Sequence, residues 1–246
     1  MIYFIGAGPG DVELITVKGQ RLLKSCDVVV YAGSLVNPQI LKQAKHGAKI
    51  YNSASMNLEE IIDVMKKAFE NGQDVARLHT GDPSIYGAIR EQMEALEGLN
   101  IPYEVIPGVS SFAASSAVLK RELTVPGKSQ TVILTRAEGR TPVPEEENLK
   151  ALAQHKATMV IFLSVDKIEK IAGQLAEAYG SHTPAAVVYK ATWDDQKIVC
   201  GTLADIAAKV KKEGINKTAL ILVGDFLGDE YEVSCLYDKH FSHGYR

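Results

Sequence analysis

Apolar residues fall along this chain in short runs that alternate with stretches spaced three and four apart. Ile2 to Ile5 is an apolar run closed by Gly6-Ala7-Gly8-Pro9-Gly10, which predicts a buried strand feeding a turn. Leu14, Val17, Leu22 and Leu23 carry roughly helical spacing through 14–25, with Thr16 as a candidate cap. Residues 27–31 (DVVVY) read as a second buried strand. Leu58 to Phe69 is amphipathic, with Leu58, Ile61, Ile62, Met65 and Phe69 on one face, and Asn71-Gly72 stops it. Val75 to Leu78 predicts a strand, and Ser84 to Leu96 a helix opened by Asp82-Pro83. Tyr103 to Ile106 is a further strand, followed after Pro107-Gly108 by a helix of small residues over 109–119.

Strand and helix thus alternate through the first half, which implies a parallel sheet with helices on its faces. The pattern breaks at Arg121 to Lys128, around Pro126-Gly127, and the domain boundary is placed there: an N-terminal domain 1–121, a linker 122–128 and a C-terminal domain 129–246. The second half reads strand 131–135, polar loop 136–144, helix near 146–155, strand 158–163, helix 167–179, strand 185–189, strand 197–201, helix 203–213 and strand 218–224. The two adjacent strands, joined by a short polar stretch that includes Trp193-Asp194-Asp195-Gln196, predict an antiparallel hairpin and hence a mixed second sheet. Residues 229–246 show no period and read as a tail or a partner contact. The fold class is therefore α/β with two domains, the first sheet mainly parallel and the second mixed, and a ligand cleft between them is the common arrangement.

Composition changes this picture little. The chain has 246 residues, 46% hydrophobic and 23% charged, with a formal net charge of -3. That balance argues against a general nucleic-acid binder, which carries a strong basic excess. Cys26, Cys200 and Cys235 lie far apart and make no C-x-x-C pair, as in a reducing cytoplasm. No apolar run approaches the roughly 20 residues of a membrane span, and MIYFIGAGPG reads as a core strand rather than a signal peptide. Neither the six histidines nor the three cysteines show metal-ligand spacing, so no metal is expected.

Candidate chemistry sits on the loops. Gly6-Ala7-Gly8-Pro9-Gly10-Asp11 resembles a dinucleotide fingerprint, but fails it. The third glycine would fall at position 11, which is Asp11; Pro9 lacks an N–H; and the Asp11 carboxylate would repel a pyrophosphate. A bare strand-to-helix turn and a loop for a ligand not anchored by phosphates both remain open. His79-Thr80-Gly81-Asp82-Pro83-Ser84-Ile85-Tyr86-Gly87 follows another strand, at the edge where open α/β sheets bind ligands. Asp82-Pro83 has an alternative role there as helix cap and first helical residue, and His79 reads either as a base or as a hydrogen-bonded packing residue. Pro107-Gly108-Val109-Ser110-Ser111-Phe112 repeats the placement. Three glycine turns at one sheet edge favour a site more than any one alone.

In order and spacing, G-x-G-P-G-D, G-D-P and P-G-x-S-S-F resemble the tetrapyrrole methylases, the class III S-adenosylmethionine (SAM)-dependent methyltransferases, over residues 1–228. Within that family, Tyr31-Ala32-Gly33-Ser34-Leu35-Val36-Asn37-Pro38 and LHTGDPSIYG (78–87) look like the branch that methylates C11 of precorrin-4-type rings in cobalamin biosynthesis. The resemblance implies a SAM-dependent C-methyltransferase, cytoplasmic and homodimeric, acting on a small tetrapyrrole rather than nucleic acid or membrane. It implies SAM contacts at Pro9, Gly81, Asp82, Pro83, Tyr86, Ser111, Phe112, Leu163, Ala191 and Ala219, with Asp82 at the methionine end and Leu163 and Ala219 along the adenine. Leu163 reads equally as a core strand residue. Tyr31, Ser34 and Asn37 are candidates for the substrate trough, where turn chemistry is their other role. Arg121 and Arg136, with Arg90, Lys120, Lys128 and Arg140, are candidate donors to the ring's carboxylates, each alternatively a solvated charge. No general base is named. The alternatives are another precorrin or uroporphyrinogen III methyltransferase, a protein- or RNA-modifying member, and a non-catalytic SAM- or dinucleotide-binding module.

Overall fold

The computed structural model describes residues 1–33, 35–234, 241–242 and 244. Two compact units divide the chain: Met1–Ala114 with Lys190–Asp195, and Ser115–Tyr189 with the residues from Gln196 on.

The first unit is built on β1 (Ile2–Gly6), β2 (Val28–Tyr31), β3 (Lys49–Asn52), β4 (Val75–His79) and β5 (Tyr103–Ile106), all parallel, in the order β3-β2-β4-β1-β5. The central strands are buried on both faces, so they read as near-continuous apolar runs rather than alternating ones. Ile2, Phe4, Val28, Val30 and Val75 face one core with Ile61 and Met65 of α2 (Leu58–Glu70) and Leu96 of α3 (Arg90–Gly98). Ile5, Val29, Ala76 and Leu78 face the other with Leu23 of α1 (Val17–Ser25). The Thr16 hydroxyl accepts from the Gly19 N–H (3.1 Å), as its position before α1 anticipated. Asn57 and Glu60 close a capping box on α2: the Asn57 side chain accepts from the Glu60 N–H (2.9 Å), and the Glu60 carboxylate from the Asn57 N–H (2.8 Å).

Three elements of the first unit differ from the sequence reading. No helix runs from Ser84; residues 83–86 form turns and α3 begins only at Arg90, with no side-chain cap. Asp82 therefore caps no helix. Tyr86 and Ala88 stand at φ 54° and 48°, and Gly87 lies so close to the Pro83 carbonyl that a side chain there would overlap it. Those left-handed residues cannot propagate a right-handed helix. The small-residue helix α4 (Ser111–Leu119) starts two residues late. β3, unread in the sequence, is an edge strand with all four residues exposed, so it carries no apolar signature.

The second unit contains β6 (Val132–Arg136), α5 (Leu149–Ala153), β7 (Thr158–Phe162), α6 (Ile168–Tyr179), β8 (Pro184–Tyr189), β9 (Lys197–Thr202), α7 (Ile206–Lys212) and β10 (Ala219–Val223). Its sheet order is β6-β7-β10-β8-β9, with β6 and β7 parallel and every other neighbour antiparallel, a mixed sheet as expected. β8 and β9 do form the antiparallel pair, from Pro184 opposite Thr202 to Tyr189 opposite Lys197. Its core joins Met159, Ile161, Val187 and Ile221 to Ile171 and Leu175 of α6 and Ile206 and Val210 of α7. β7 ends at Phe162, one residue early, because Leu163 turns to φ 53°.

Candidate functional site

β4, β1 and β5 are neighbours, so their three following loops leave the same sheet edge side by side. The loops approach at backbone distance. A Cβ on Gly6 would fall 2.6 Å from both Gly108 N and Gly81 O, and one on Gly108 would lie 2.7 Å from Gly6 Cα and overlap the Gly81 carbonyl. Glycine at 6 and 108 is thus required by contact, not by a left-handed backbone. Hydrogen bonds tie the three loops: Ala7 N–H to His79 O (2.8 Å), Gly81 N–H to Gly8 O (2.8 Å), and Gly108 N–H to Asp82 Oδ2 (2.9 Å).

Asp82 is the polar centre of this knot. Its carboxylate also accepts from the Ser84 N–H (2.8 Å) and the Ser84 hydroxyl. Burial works to raise its pKa, but the bonds from the Ser84 hydroxyl and the Gly108 and Ser84 amides outweigh burial and leave it below the ordinary carboxylate value. Asp82 is therefore a charged brace between two loops.

Beneath the loop lie two buried polar groups on one face of β4. Arg77, 4% exposed, donates through Nε to Gln92 Oε1 (3.0 Å) and through a terminal nitrogen to Ser53 Oγ (3.1 Å) and Val30 O (3.4 Å). Burial pushes its guanidinium down to about 10, still charged at neutral pH. Sequence reading missed it, since one arginine inside Val75-Ala76-Arg77-Leu78 does not disturb an apolar run. His79, also 4% exposed, packs on Phe4 and is hydrogen-bonded to the Gly87 backbone, with Nε2 unpartnered. Of the two roles open in sequence, the packing role describes what these contacts do.

Burial first, and the Arg77 charge second, drive the His79 pKa down from 6.5 to about 3. Between those values the unfolded chain binds a proton that the folded chain refuses, so stability falls as pH drops from about 6.5 toward 3. This one group contributes up to about 1.4 kcal/mol per pH unit in that window. Urea unfolding at pH 7 and pH 5 should show a stability loss in the parent larger by roughly 2 kcal/mol than in His79→Gln. Equal losses would mean that His79 protonates freely in the fold.

Four of the other candidate donor contacts lie at or beside left-handed backbone. Tyr86 (φ 54°) and Leu163 (φ 53°) are themselves left-handed, Lys190 (46°) and Thr192 (69°) flank Ala191, and Thr218 (54°) precedes Ala219. Left-handed geometry is unfavourable for non-glycine residues, most of all for a β-branched threonine, and such strain concentrates at functional loops. Tyr86 and Leu163 are in addition 44% and 64% exposed, so these large side chains are held out of the core. Extending the β7–β10 register by two residues sets Leu163 across from Ala219, which pairs on its other side with Tyr189. Ser111 opens α4 and, like Phe112, is half-buried.

A family model for Tetrapyrrole (Corrin/Porphyrin) Methylases matches residues 1–207. The chain belongs to this family. It is 60% identical, over 247 aligned residues covering all of this chain and 95% of the relative, to the cobalt-precorrin-4 C(11)-methyltransferase of Methanocaldococcus jannaschii. A crystal structure of cobalt precorrin-4 methyltransferase, a cobalamin biosynthetic enzyme, superimposes with TM-score 0.90 at 49% identity, covering 92% of this chain and 95% of that one. Uroporphyrin-III C-methyltransferase from Thermus thermophilus, in complex with S-adenosylhomocysteine, gives TM-score 0.76 at 29% identity, with 92% and 93% covered.

In this methylase the candidate trough residues are structurally engaged. Asn37 donates through Nδ2 to Gly10 O (2.8 Å) and accepts from the Gln39 N–H (3.0 Å), so it steadies the first glycine loop as well as its own turn. Tyr31, at the end of β2, accepts the Ser53 hydroxyl on its carbonyl (3.1 Å). Ser34 lies outside the described residues. Arg121 pairs with Asp229 (2.7 Å), Lys128 with Glu230 (3.8 Å) and Arg90 with Glu94 (2.6 Å). Arg136 folds back on the Pro142 (2.6 Å) and Thr141 (3.2 Å) carbonyls, while Lys120 and Arg140 are exposed. Among the described residues no cluster of three or more His, Cys, Asp or Glu could hold a metal ion, and no helix is long and apolar enough to cross a membrane.

Proposed function

We propose that this chain moves the methyl group of SAM to C11 of a cobalt-containing precorrin-4 in cobalamin biosynthesis. The observation that carries this reading is the 60% identity to the Methanocaldococcus jannaschii enzyme across all of this chain.

The residues present fit a sulfonium donor better than a nucleotide diphosphate. Pro9 offers no N–H to a phosphate, and the charged Asp82 stands in the next loop. Glycines at 6 and 108 let the three loops pack backbone against backbone at the strand ends, where a Cβ would force them apart. Leu163 and Tyr86 present exposed carbon surface on strained backbone, as an apolar or aromatic ligand face requires. When bound, SAM would supply an electrophilic methyl: the S–CH3 bond would break as the C–C bond formed, leaving a neutral thioether and passing the positive charge to the macrocycle, which would then release a proton to water.

The chain's own residues position and shield. Pro9, Gly81, Asp82, Pro83, Tyr86, Ser111, Phe112 and Ala191 hold the methionine end and its loops, and Leu163 and Ala219 line the adenine. Tyr31, Ser34 and Asn37 meet the macrocycle, and Arg121 and Arg136 receive its carboxylates by exchanging their present partners. Rate enhancement then comes from alignment of the two reactants and exclusion of water; no nucleophilic side chain is needed. The homodimer and the cytoplasmic location belong to the same reading, the latter supported by free, widely separated Cys26 and Cys200.

Purified chain given SAM with either cobalt-precorrin-4 or its metal-free form should methylate the cobalt form with the higher kcat/KM, followed by mass spectrometry of the tetrapyrrole. Equal or reversed preference would remove cobalt from the assignment.

A further inference from the structure

We propose that Trp193, supported by Thr192, is a positioning residue that sets the Pro9 turn for the methyl donor; this rests on the donor reading given above. Although Trp193 lies between two strands of the second sheet, residues 190–195 belong to the first unit. There the indole N–H of Trp193 donates to Pro9 O at 2.8 Å, across 184 residues of sequence. The Thr192 hydroxyl accepts from the Asp11 N–H at 3.0 Å. With Asn37 on Gly10 O (2.8 Å), consecutive peptide groups of the Pro9-Gly10-Asp11 turn are all held by side chains from elsewhere.

The indole also explains why position 10 is glycine. A Cβ there would overlap the Trp193 ring and lie 2.9 Å from Ala191 O. The ring is itself held: Lys190 Nζ sits 5.0 Å from its centroid and is fixed by Asp195 Oδ2 at 2.6 Å. A cation over an indole face is attracted by the ring quadrupole. Thr192 keeps its place at φ 69°, a costly conformation for a β-branched residue, which only surrounding contacts sustain. Ala191, assigned to the donor, thus lies between two residues that grip the turn carrying Pro9, also assigned to the donor. One clamp sets both.

Trp193 is the only tryptophan in the chain, so the clamp carries its own reporter. Titrating the full chain with S-adenosylhomocysteine should change the tryptophan emission, with half-saturation at the dissociation constant found by calorimetry. Trp193→Phe keeps an aromatic ring but loses the donor, and should weaken S-adenosylhomocysteine by roughly 5- to 10-fold, the value of one net hydrogen bond. KM for SAM should rise with it, while kcat at saturating SAM and the KM for the tetrapyrrole stay near parental. A structural defect alone would instead lower kcat and thermal midpoint together. Gly10→Ala should weaken the donor in the parent and less in a Trp193→Ala background, because removing the ring clears Cδ1 and Nε1 from the added methyl and leaves only the Ala191 carbonyl close to it; such non-additivity marks direct coupling. Parental donor affinity in Trp193→Phe, or additive effects, would overturn the clamp while leaving the donor reading intact. Failure of the parent chain to bind S-adenosylhomocysteine would overturn both.

Discussion

Asp82→Asn is expected to weaken S-adenosylhomocysteine by roughly 10- to 100-fold while leaving the chain folded, because hydrogen bonds to a charged group are worth about 1.5–3 kcal/mol. The substitution keeps the size of the side chain and removes only its charge and one acceptor. Asp82 accepts from Gly108 N–H on one oxygen and from the Ser84 N–H and hydroxyl on the other. An amide can satisfy one side, but its NH2 must then face either the Gly108 or the Ser84 N–H, donor against donor. The two loops would separate where the methionine end is proposed to sit. Isothermal calorimetry checks this directly, and unchanged affinity would confine Asp82 to a role without bearing on the donor.

Gly108→Ala should have the largest effect on stability. Its Cβ would overlap the Gly81 carbonyl and reach 2.7 Å from Gly6 Cα, and both neighbours are backbone. No rotamer change relieves such a contact, so the sheet edge must shift, at about 2–3 kcal/mol as for other overpacked sites. In a chain of this size that lowers the thermal midpoint by roughly 4–12 °C. Activity should fall further than stability, since all three loops move. Calorimetry of the variant against Gly72→Ala separates contact from backbone strain: Gly108 has the close contact without a positive φ, whereas Gly72 has a positive φ (71°) and nothing within 4 Å of its added Cβ. Equal losses in the two variants would attribute the Gly108 requirement to something other than close approach.

How much of this was readable in the sequence depended on how local each cause was. Helix α2 was legible because Leu58, Ile61, Ile62, Met65 and Phe69 recur at helical spacing and Asn71-Gly72 stops it; its capping box of Asn57 and Glu60, equally local, was missed. Exclusion of a dinucleotide needed only Pro9 and Asp11. The stretch after Asp82 misled because Asp-Pro at its head is a good local start signal, whereas the left-handed Tyr86 and Ala88 and the packing of Gly87 on Pro83 come from the surrounding fold. β3 escaped because an exposed edge strand needs no apolar pattern. Arg77 and Trp193 escaped for a stronger reason: their partners, Ser53 and Pro9, are distant in sequence and leave no spacing to find. The glycines were legible as turns, but their close packing against each other was not.

The most direct measurement is the position of the new carbon. The chain should be incubated with cobalt-precorrin-4 and SAM bearing a 13C-methyl group, and the product examined by NMR. A single labelled methyl attached to C11, formed together with S-adenosylhomocysteine, is the expected result. A labelled methyl on any other ring carbon, or S-adenosylhomocysteine binding without methylation of this ring, would contradict the assignment.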